Sequence, residues 1–475
     1  MKISLNLTGE LAEFLPELST HWISKNAGRK HVRLRQRAIV DLLTTAYEGR
    51  RKHSRRPEAT TFSHAYLAKR LRTTHNSAAS RALLAPFFDF DLENRSYSKA
   101  FSETKSYTLR PQVAAALDQV MQSRSPLVIV ATDAKGNTSP VTVEELPANG
   151  IPQELGSSLF LPSVIPIASG TLHKAREWIQ NAVADYGEAA PLDAEKGTGT
   201  TLADAYRQLS KIERWHDALG GIPNFYTEQA HGRLGPANDC HVIALPRILR
   251  QLVLQDSGLV DHDIKSCNWS LYLSRAQSLN LETVKAENYA AAKNDWHSRL
   301  QWLTGRGSKD AWKSVLLSWL TGASLASSRS TAAGKLVGCE SMRRVANDPI
   351  LRGLHREVTA GMKQIITNSR KAETEVTANA VGKVFRMQGE ASDFGRACAH
   401  ELTGLESFAI RSMCEGVQGL AAIVYDGWLS EPVSNVAGLV AKVRQHSIEQ
   451  LGFPLEIELK VSQITAPAPY SPIHF

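Results

Sequence analysis

Apolar residues recur every three or four positions in three stretches near the start of the chain, a spacing that predicts amphipathic helices. These stretches are residues 37–49, Ser63–Thr73 and His75–Leu84. Two alternating runs follow, Phe87–Leu92 and Ser106–Leu109, joined by a polar, basic segment. Because alternation has the period of a strand, these runs predict a hairpin. The first hundred residues are therefore expected to form three short helices and a hairpin.

The order of these elements resembles a winged helix-turn-helix, in which the third helix enters the major groove of DNA and the hairpin lies on the phosphates. The resemblance implies that Asn76, Ser77, Ser80 and Arg81 face the groove. Residues 1–75 carry 15 Lys and Arg against 6 Asp and Glu, so this end of the chain favours a polyanionic partner. The alternative is a small helical domain whose charges are merely solvated. Of the two, we expect DNA binding.

The pattern changes after this region. Prolines are frequent from residue 111 to 166, which predicts a linker or a small β insertion rather than packed helices. From residue 168 to 220 the helical spacing returns, with a Gly/Thr-rich break at Lys196–Thr201. We interpret residues 168–228 as a helical, thumb-like region.

Two short apolar runs in the second half each end on an aspartate and a polar turn. Leu259–Asn268 contains Asp263, and Ala422–Gly427 contains Asp426. In the first run, Asp261 and Asp263 are two residues apart and therefore lie on one face of a strand. We select Asp263 as the functional acid because the polar turn begins directly after it. Two strand-end carboxylates are able to hold a pair of divalent ions for nucleotidyl transfer.

A lysine-bearing helix is predicted between the two acids. Lys309, Lys313, Leu317 and Thr321 are four residues apart and share one helix face. Lysines on such a face are able to neutralise a nucleoside triphosphate. The order of carboxylate, basic helix and carboxylate therefore predicts an enzyme that makes nucleic acid.

Five segments between about residues 230 and 460 resemble, in order, the palm and fingers of family A polymerases. This family includes the bacterial polymerase I-like DNA polymerases and the single-subunit phage-type RNA polymerases, and the likeness covers roughly half of the chain. The segments are Gly232–Leu234 with Leu245–Arg250, Asp261–Asn268, Lys309–Gly322, Asn379–Asp393 and Ile423–Gly427. This chain departs from the family pattern at four positions. Asn268 and Thr321 stand where family A has Glu and Tyr, and Tyr425 and Gly427 stand where it has His and Glu.

The resemblance implies a role for each matching residue. Asp263 and Asp426 would bind two Mg²⁺ ions, with Mn²⁺ as an alternative, and Lys313 would supply charge or a proton to the leaving pyrophosphate. The residues implied to contact the nucleotide are Lys309, Lys313, Thr321, Asn268 and Ile264, and those implied to contact primer and template are Arg233 and Gln388. The missing bulky side chains beside the sugar leave the choice between dNTPs and rNTPs open.

Composition adds limits to this picture. With 475 residues, of which 43% are hydrophobic, the chain has room for about three domains. The five cysteines are far apart and form no Cys-x-x-Cys pair, so neither a disulfide framework nor a zinc site is indicated. No run approaches about 18 consecutive apolar residues, and the amino terminus lacks the apolar core of a signal peptide. We therefore expect a soluble, cytoplasmic protein without a membrane partner.

Together these patterns predict an α+β protein with an N-terminal winged helix and a right-hand polymerase, whose palm carries an antiparallel sheet. The predicted regions are the winged helix (1–112), a linker or β insertion (113–167), the thumb (168–228), the fingers (273–385) and a palm in two parts (229–272 and 386–475). The leading hypothesis is a DNA-directed DNA polymerase that replicates a plasmid or phage without proofreading. It would use a DNA template, a primer, dNTPs and accessory replication proteins. The alternatives are a primase or DNA-directed RNA polymerase, and a non-catalytic replication initiator or regulator.

Overall fold

A computed structural model defines most of the chain. The structure describes residues 2–5, 11, 14–15, 29–47, 52–53, 56–62, 67, 71, 77–90, 105–122, 129–132, 138–152, 159–193, 200–238, 240–326, 328, 331–370, 376–390 and 392–470.

Helices and short strands alternate along these residues. The helices are α1 (Arg29–Tyr47), α2 (Ser77–Leu84), α3 (Pro111–Gln122), α4 (Ser169–Tyr186), α5 (Leu202–Leu219), α6 (Arg247–Leu254), α7 (Cys267–Ser278), α8 (Val284–Ala291), α9 (Lys293–Thr304), α10 (Lys309–Leu320), α11 (Ala332–Val337), α12 (Cys339–Asn347), α13 (Pro349–Ser369), α14 (Asp393–Cys414) and α15 (Val436–Leu451). The strands are β1 (Lys2–Leu5), β2 (Lys52–His53), β3 (Arg56–Phe62), β4 (Phe88–Phe90), β5 (Lys105–Leu109), β6 (Ile129–Thr132), β7 (Thr138–Val141), β8 (Val164–Pro166), β9 (Gly221–Pro223), β10 (Tyr226–Glu228), β11 (Leu234–Pro236), β12 (Val260–Ile264), β13 (Val376–Ala378), β14 (Val384–Arg386), β15 (Leu420–Val424), β16 (Gly427–Ser430) and β17 (Leu459–Gln463).

The fold is mixed α+β, as the sequence predicts. All strand pairs among the described residues are antiparallel. The sheet that matters for the site has the order β15-β16-β12-β17, so β12 lies between β16 and β17. Helix α14 contacts β16 of this sheet and helix α15, and four of its apolar residues are buried: Leu402, Leu405, Phe408 and Met413.

The N-terminal region has a hydrophobic core of its own, separate from the core of the rest of the chain. Its sheet has the order β2-β3-β5-β4, and the predicted hairpin is present as the β4–β5 pair. The sequence pattern does not predict strand β3. This strand pairs with β5, with Thr60 opposite Tyr107. Helix α1 begins at Arg29, earlier than the predicted start at residue 37. The predicted helix Ser63–Thr73 lies mostly outside the described residues.

Helix α3 corrects the expectation of a linker after residue 112. Pro111 occupies the start of the helix, where its fixed φ is suited to a helix and its missing N–H costs nothing. Val113, Leu117 and Val120 repeat at helical spacing and are buried in the N-terminal core. The proline therefore begins the helix instead of preventing one, and the predicted boundary at residue 112 falls inside it. The predicted β insertion is present as the β6–β7 pair, which β1 extends.

Helices α4 and α5 connect the N-terminal core to the rest of the molecule. The Arg207 guanidinium lies 4.9 Å from the centre of the Tyr47 ring, and its Nη1 donates to the Tyr47 carbonyl at 3.3 Å. Arg214 is buried and donates from Nη1 to the Val120 carbonyl at 2.7 Å. Residues 168–228, predicted to be helical, thus contain the helices that join the two cores.

Within the ranges that the structure describes, no helix is both long and apolar enough to cross a membrane. None of the five cysteines, all of which the structure describes, forms a disulfide bond.

Candidate active site

Asp263 and Asp426 lie side by side at one end of the central sheet. Asp263 pairs with Gly427 in the β12–β16 register, and the Ile264 amide donates to the Asp426 carbonyl at 3.0 Å. Buried and partly exposed residues alternate along β12. His262, which precedes Asp263, is fully buried, and its ring stacks on Trp428 with ring centres 4.7 Å apart. This alternation turns Asp263 to the opposite face. The predicted convergence of the two aspartates is therefore what the fold brings about.

The tight turn between β15 and β16 fixes the position of Asp426. Tyr425 has a φ of 52°, a left-handed conformation that two-residue hairpin loops require. At Gly427, a Cβ atom would lie 2.1 Å from the His262 carbonyl oxygen. Only glycine allows β16 to approach β12 this closely. This contact gives a physical reason for Gly427, one of the departures from the family A pattern.

Asp263 and Asp426 are close enough for their negative charges to repel each other, and Asp261 adds a third negative charge nearby. Burial raises the pKa of Asp263 to about 6, and repulsion from Asp426 and Asp261 adds to the effect. Burial also raises the pKa of Asp426, against the opposing influence of Arg233 and Lys313. Like charges held close together in a partly buried place favour a cation between or beside them.

A cavity of about 200 Å³ opens onto these carboxylates. It contains five of the residues predicted for the site: Asp263, Asp426, Lys313, Ile264 and Asn268. The other lining residues are Ser266, Cys267, Trp269, Tyr289, Lys293, His297 and Leu317. The two carboxylates come from the sheet and the two lysines from helices α9 and α10, so the cavity offers both charges that a metal-bound triphosphate needs.

Helix α10 supplies Lys313 because its two faces differ sharply. The Ser308 side chain accepts from the Ala311 amide at the start of the helix, which satisfies one free N–H. Trp312, Leu316 and their neighbours are buried, whereas Lys313 is on the exposed face. A helix with this pattern cannot rotate without exposing tryptophan, so the direction of Lys313 is fixed by packing.

Sequence reasoning missed Lys293 and His297, which reach the cavity from helix α9. His297 is 5% exposed, and neither ring nitrogen has a hydrogen-bond partner among the described residues. Burial and the positive charges of Lys309, Lys313 and Lys293 lower its pKa. Burial and Lys313 likewise lower the pKa of Lys293, whose ammonium contacts the Ser266 hydroxyl. Their spacing of four residues, just before the lysine helix, was a signal for one shared face.

Two predicted nucleotide contacts do not line the cavity. Lys309 donates to the Asn294 side chain at 2.8 Å and is exposed. Thr321 ends helix α10, and its hydroxyl donates to the Ser318 carbonyl at 2.9 Å. The four-residue spacing gave the correct face, but the slow drift around a helix carries its two ends away from the cavity.

The two predicted primer and template contacts lie outside the cavity. Arg233 forms an ion pair with the buried carboxylate of Glu406 at 2.6 Å and lies 5.6 Å from the centre of the Tyr425 ring. Burial raises the pKa of Glu406 to about 7 despite this arginine. The backbone amide of Gln388 donates to Asp393 at the start of α14. Arg233 is therefore held beside the Asp426 turn.

In the N-terminal region, one predicted DNA contact is wrong. Ser80 is 1% exposed, so its side chain belongs to the interior of the small domain and not to a groove-facing surface. Helix α2 does contain Ser77 and Arg81. Asn76 lies outside the described residues.

The donor set at the cavity fits Mg²⁺ or Mn²⁺. Among the described residues, no group of three or more His, Cys, Asp and Glu side chains is arranged to hold a metal. Mg²⁺ keeps several waters and is usually bound by one or two carboxylates together with substrate phosphates. Two convergent carboxylates facing lysines meet that requirement, whereas they would not form a closed structural metal site.

No family model matches this chain, and no curated protein matches it. Solved structures do match. One is the polymerase domain of Pol1 from M. smegmatis in complex with DNA primer-template and dNTP, with a TM-score of 0.43 and 13% sequence identity. The match covers 64% of this chain and 68% of that one.

Proposed function

We propose that this protein is a template-directed nucleic-acid polymerase, most specifically a DNA-directed DNA polymerase. One observation carries the proposal: two repelling carboxylates, Asp263 and Asp426, line the same cavity as Lys293 and Lys313. Carboxylates and lysines in one cavity are the electrostatic arrangement that nucleotidyl transfer requires, because the reaction brings together divalent cations and a polyphosphate.

Each residue then has a role in the transfer. Asp263 and Asp426 would hold the ions, which when bound lower the pKa of a primer 3′-hydroxyl and stabilise the leaving pyrophosphate. Lys313 and Lys293 bind the triphosphate oxygens and neutralise the charge that develops during displacement. His297 is neutral near pH 7 because its pKa is lowered, and it has one free N–H to donate to a phosphate oxygen.

The sugar side of the cavity favours a second candidate, a primase or RNA polymerase on the same fold. Asn268 and Leu317 line the cavity where family A members have a glutamate and, in many cases, an aromatic residue, and Thr321 lies outside it. A smaller lining leaves more room for a ribose 2′-hydroxyl. We place DNA synthesis first and ribonucleotide use second.

The N-terminal region completes the proposal as a DNA-binding module. Its support is a separate core, the β4–β5 hairpin packed against β3, and the excess of Lys and Arg in residues 1–75. A DNA-reading module joined to a polymerase fits a replicase of a plasmid or phage that recognises its own origin. Palm, fingers and thumb would correspond to residues 229–272 with 386–475, 273–385 and 168–228.

Extension of a labelled primer–template with Mg²⁺ tests the function. We expect extension with dNTPs, reduced by about 10³-fold or more in Asp263→Ala and Asp426→Ala. Asp261→Ala is the matched control, because Asp261 lies on the same strand face but outside the cavity. Absence of extension with either nucleotide set, or full activity in both variants, would overturn the proposal. Exclusive use of rNTPs would replace the first candidate with the second.

A further inference from the structure

Helix α9 carries an exposed tryptophan at the end away from the cavity. Trp302 is 81% exposed, more than any other large hydrophobic side chain in the described residues. The buried face of the helix consists of His297, Leu300 and Thr304, so Trp302 contributes nothing to the core. An indole ring exposed to this extent is available for contact with a partner.

Two arginines lie near this end of the helix, Arg306 just beyond its last turn and Arg344 on helix α12. Arg306 lies four residues further on, is exposed, and makes no ion pair with any residue that the structure describes. Arg344 from helix α12 donates from Nη1 at 3.3 Å to the carbonyl of Leu303, the residue that follows Trp302, and its Nε lies 3.6 Å from the exposed Glu340 carboxylate. A phosphate at this position would compete with Glu340 for the guanidinium. Residues 293–352 contain ten Lys and Arg against four Asp and Glu, whereas the chain beyond residue 75 as a whole is close to balanced.

An aromatic ring among cations fits one chemical class of partner. Single-stranded nucleic acid exposes unpaired bases that stack on aromatic rings, and its phosphates pair with arginine. Nucleic acid presents a flat ring and a negative charge in every repeating unit, whereas an acidic protein does so only where its sequence happens to place an aromatic residue beside a carboxylate. Lys293 at the other end of α9 lines the cavity, about 14 Å away along the helix axis and on the opposite side of the helix from Trp302. A strand leaving the cavity would therefore pass around the end of α9 to reach Trp302.

We propose that Trp302, Arg306 and Arg344 form a stacking platform for the single-stranded nucleic acid that leads into the cavity. The proposal rests on the proposed function for the identity of that strand as the uncopied template. Stacking on the ring holds a base in place, and the two guanidinium groups neutralise the flanking phosphates. Because stacking does not read base identity, the platform binds any sequence.

Binding of the full-length protein to primer–templates that differ only in the length of the 5′ overhang tests the platform. The overhangs would be about two and about ten nucleotides, and binding would be measured by fluorescence anisotropy in EDTA without nucleotides. We expect Trp302→Ala to weaken binding of the long overhang by roughly 5- to 100-fold and to leave the short one unchanged. Trp302→Phe should retain most of the affinity, since it keeps a ring. Phe160→Ala removes another exposed aromatic side chain and serves as the control.

Equal affinity of Trp302→Ala and wild type for the long overhang would overturn the platform, and so would an equal loss for both overhangs. A protein partner for this face would give the first of these results. If wild type fails to extend primers but still prefers long overhangs through Trp302, the polymerase proposal fails and the platform stands. If wild type extends primers but shows no preference for long overhangs, the platform fails and the polymerase proposal stands.

Discussion

The cavity and the N-terminal helix α2 were predicted by the same kind of reasoning, with different results. At the cavity, Asp263 stands between the buried residues His262 and Ile264, and this strong alternation determines which face the acid takes. In α2, Ser77 and Ser80 are separated by two alanines, and Ser80 is buried. Small side chains are tolerated on either face of a helix, so their order gives no direction. Orientation is predictable where large apolar neighbours impose it.

Among the substitutions that test this comparison, the largest effect on activity is expected at Lys313, which lines the cavity. Lys313→Ala should lower the rate of nucleotide incorporation by about 10²- to 10³-fold, because it removes a cation placed where charge develops. Lys309→Ala should have a much smaller effect, since Lys309 is exposed and bonded to Asn294 outside the cavity. Single-turnover incorporation rates measure both. If the two substitutions cost the same, the cavity does not define the nucleotide site.

A smaller effect is expected for the N-terminal region. Arg81→Ala should weaken duplex binding by about 5- to 100-fold, the usual loss for an arginine that contacts a base. Ser80→Ala should leave duplex binding unchanged, because the Ser80 side chain is inside the domain. Gel-shift titrations with duplex DNA at fixed salt distinguish the two. Equal affinities for Arg81→Ala and wild type would favour the alternative of a helical domain with solvated charges.

The smallest effect concerns stability. Because the pKa of Asp263 is raised to about 6, ionising it costs the folded state free energy, a cost that is absent below about pH 4 and complete above about pH 6. Asp263→Asn should therefore stabilise the metal-free protein at pH 7 to 8 by something on the order of 1 kcal/mol. The gain should vanish near pH 4. Thermal melts in EDTA across this pH range measure it.

Asp256→Asn provides a control of opposite sign for this experiment. Asp256 accepts hydrogen bonds from Thr171 and Lys174, both at 2.9 Å, and these contacts lower its pKa. Its contribution is present at neutral pH and is lost as the pH falls, so Asp256→Asn should destabilise the protein at pH 7. A gain in stability from both substitutions would show that loss of any acidic charge is responsible.

The sequence predicted the fold class and the acids because strong local patterns determine both. The lysine helix and the strand around Asp263 each have large buried residues at regular spacing. The helix at Pro111 is not predicted, because frequent prolines usually indicate a break in helical structure, whereas a proline in the first turn is compatible with the start of a helix. His297 and Lys293 were missed because their function depends on the packing of α9 against α10, a tertiary relation that spacing alone does not reveal.

Binding of Mn²⁺ in the presence of a nucleoside triphosphate tests the central claim most directly, namely that Asp263 and Asp426 act together at one metal-dependent site. Titration by electron paramagnetic resonance compares wild type with Asp263→Asn, Asp426→Asn and the double variant. We expect each single substitution to weaken Mn²⁺ binding by at least about tenfold, and the double variant to be little worse than either one, because the residues act as a unit. Unchanged Mn²⁺ affinity in both single variants would contradict the claim.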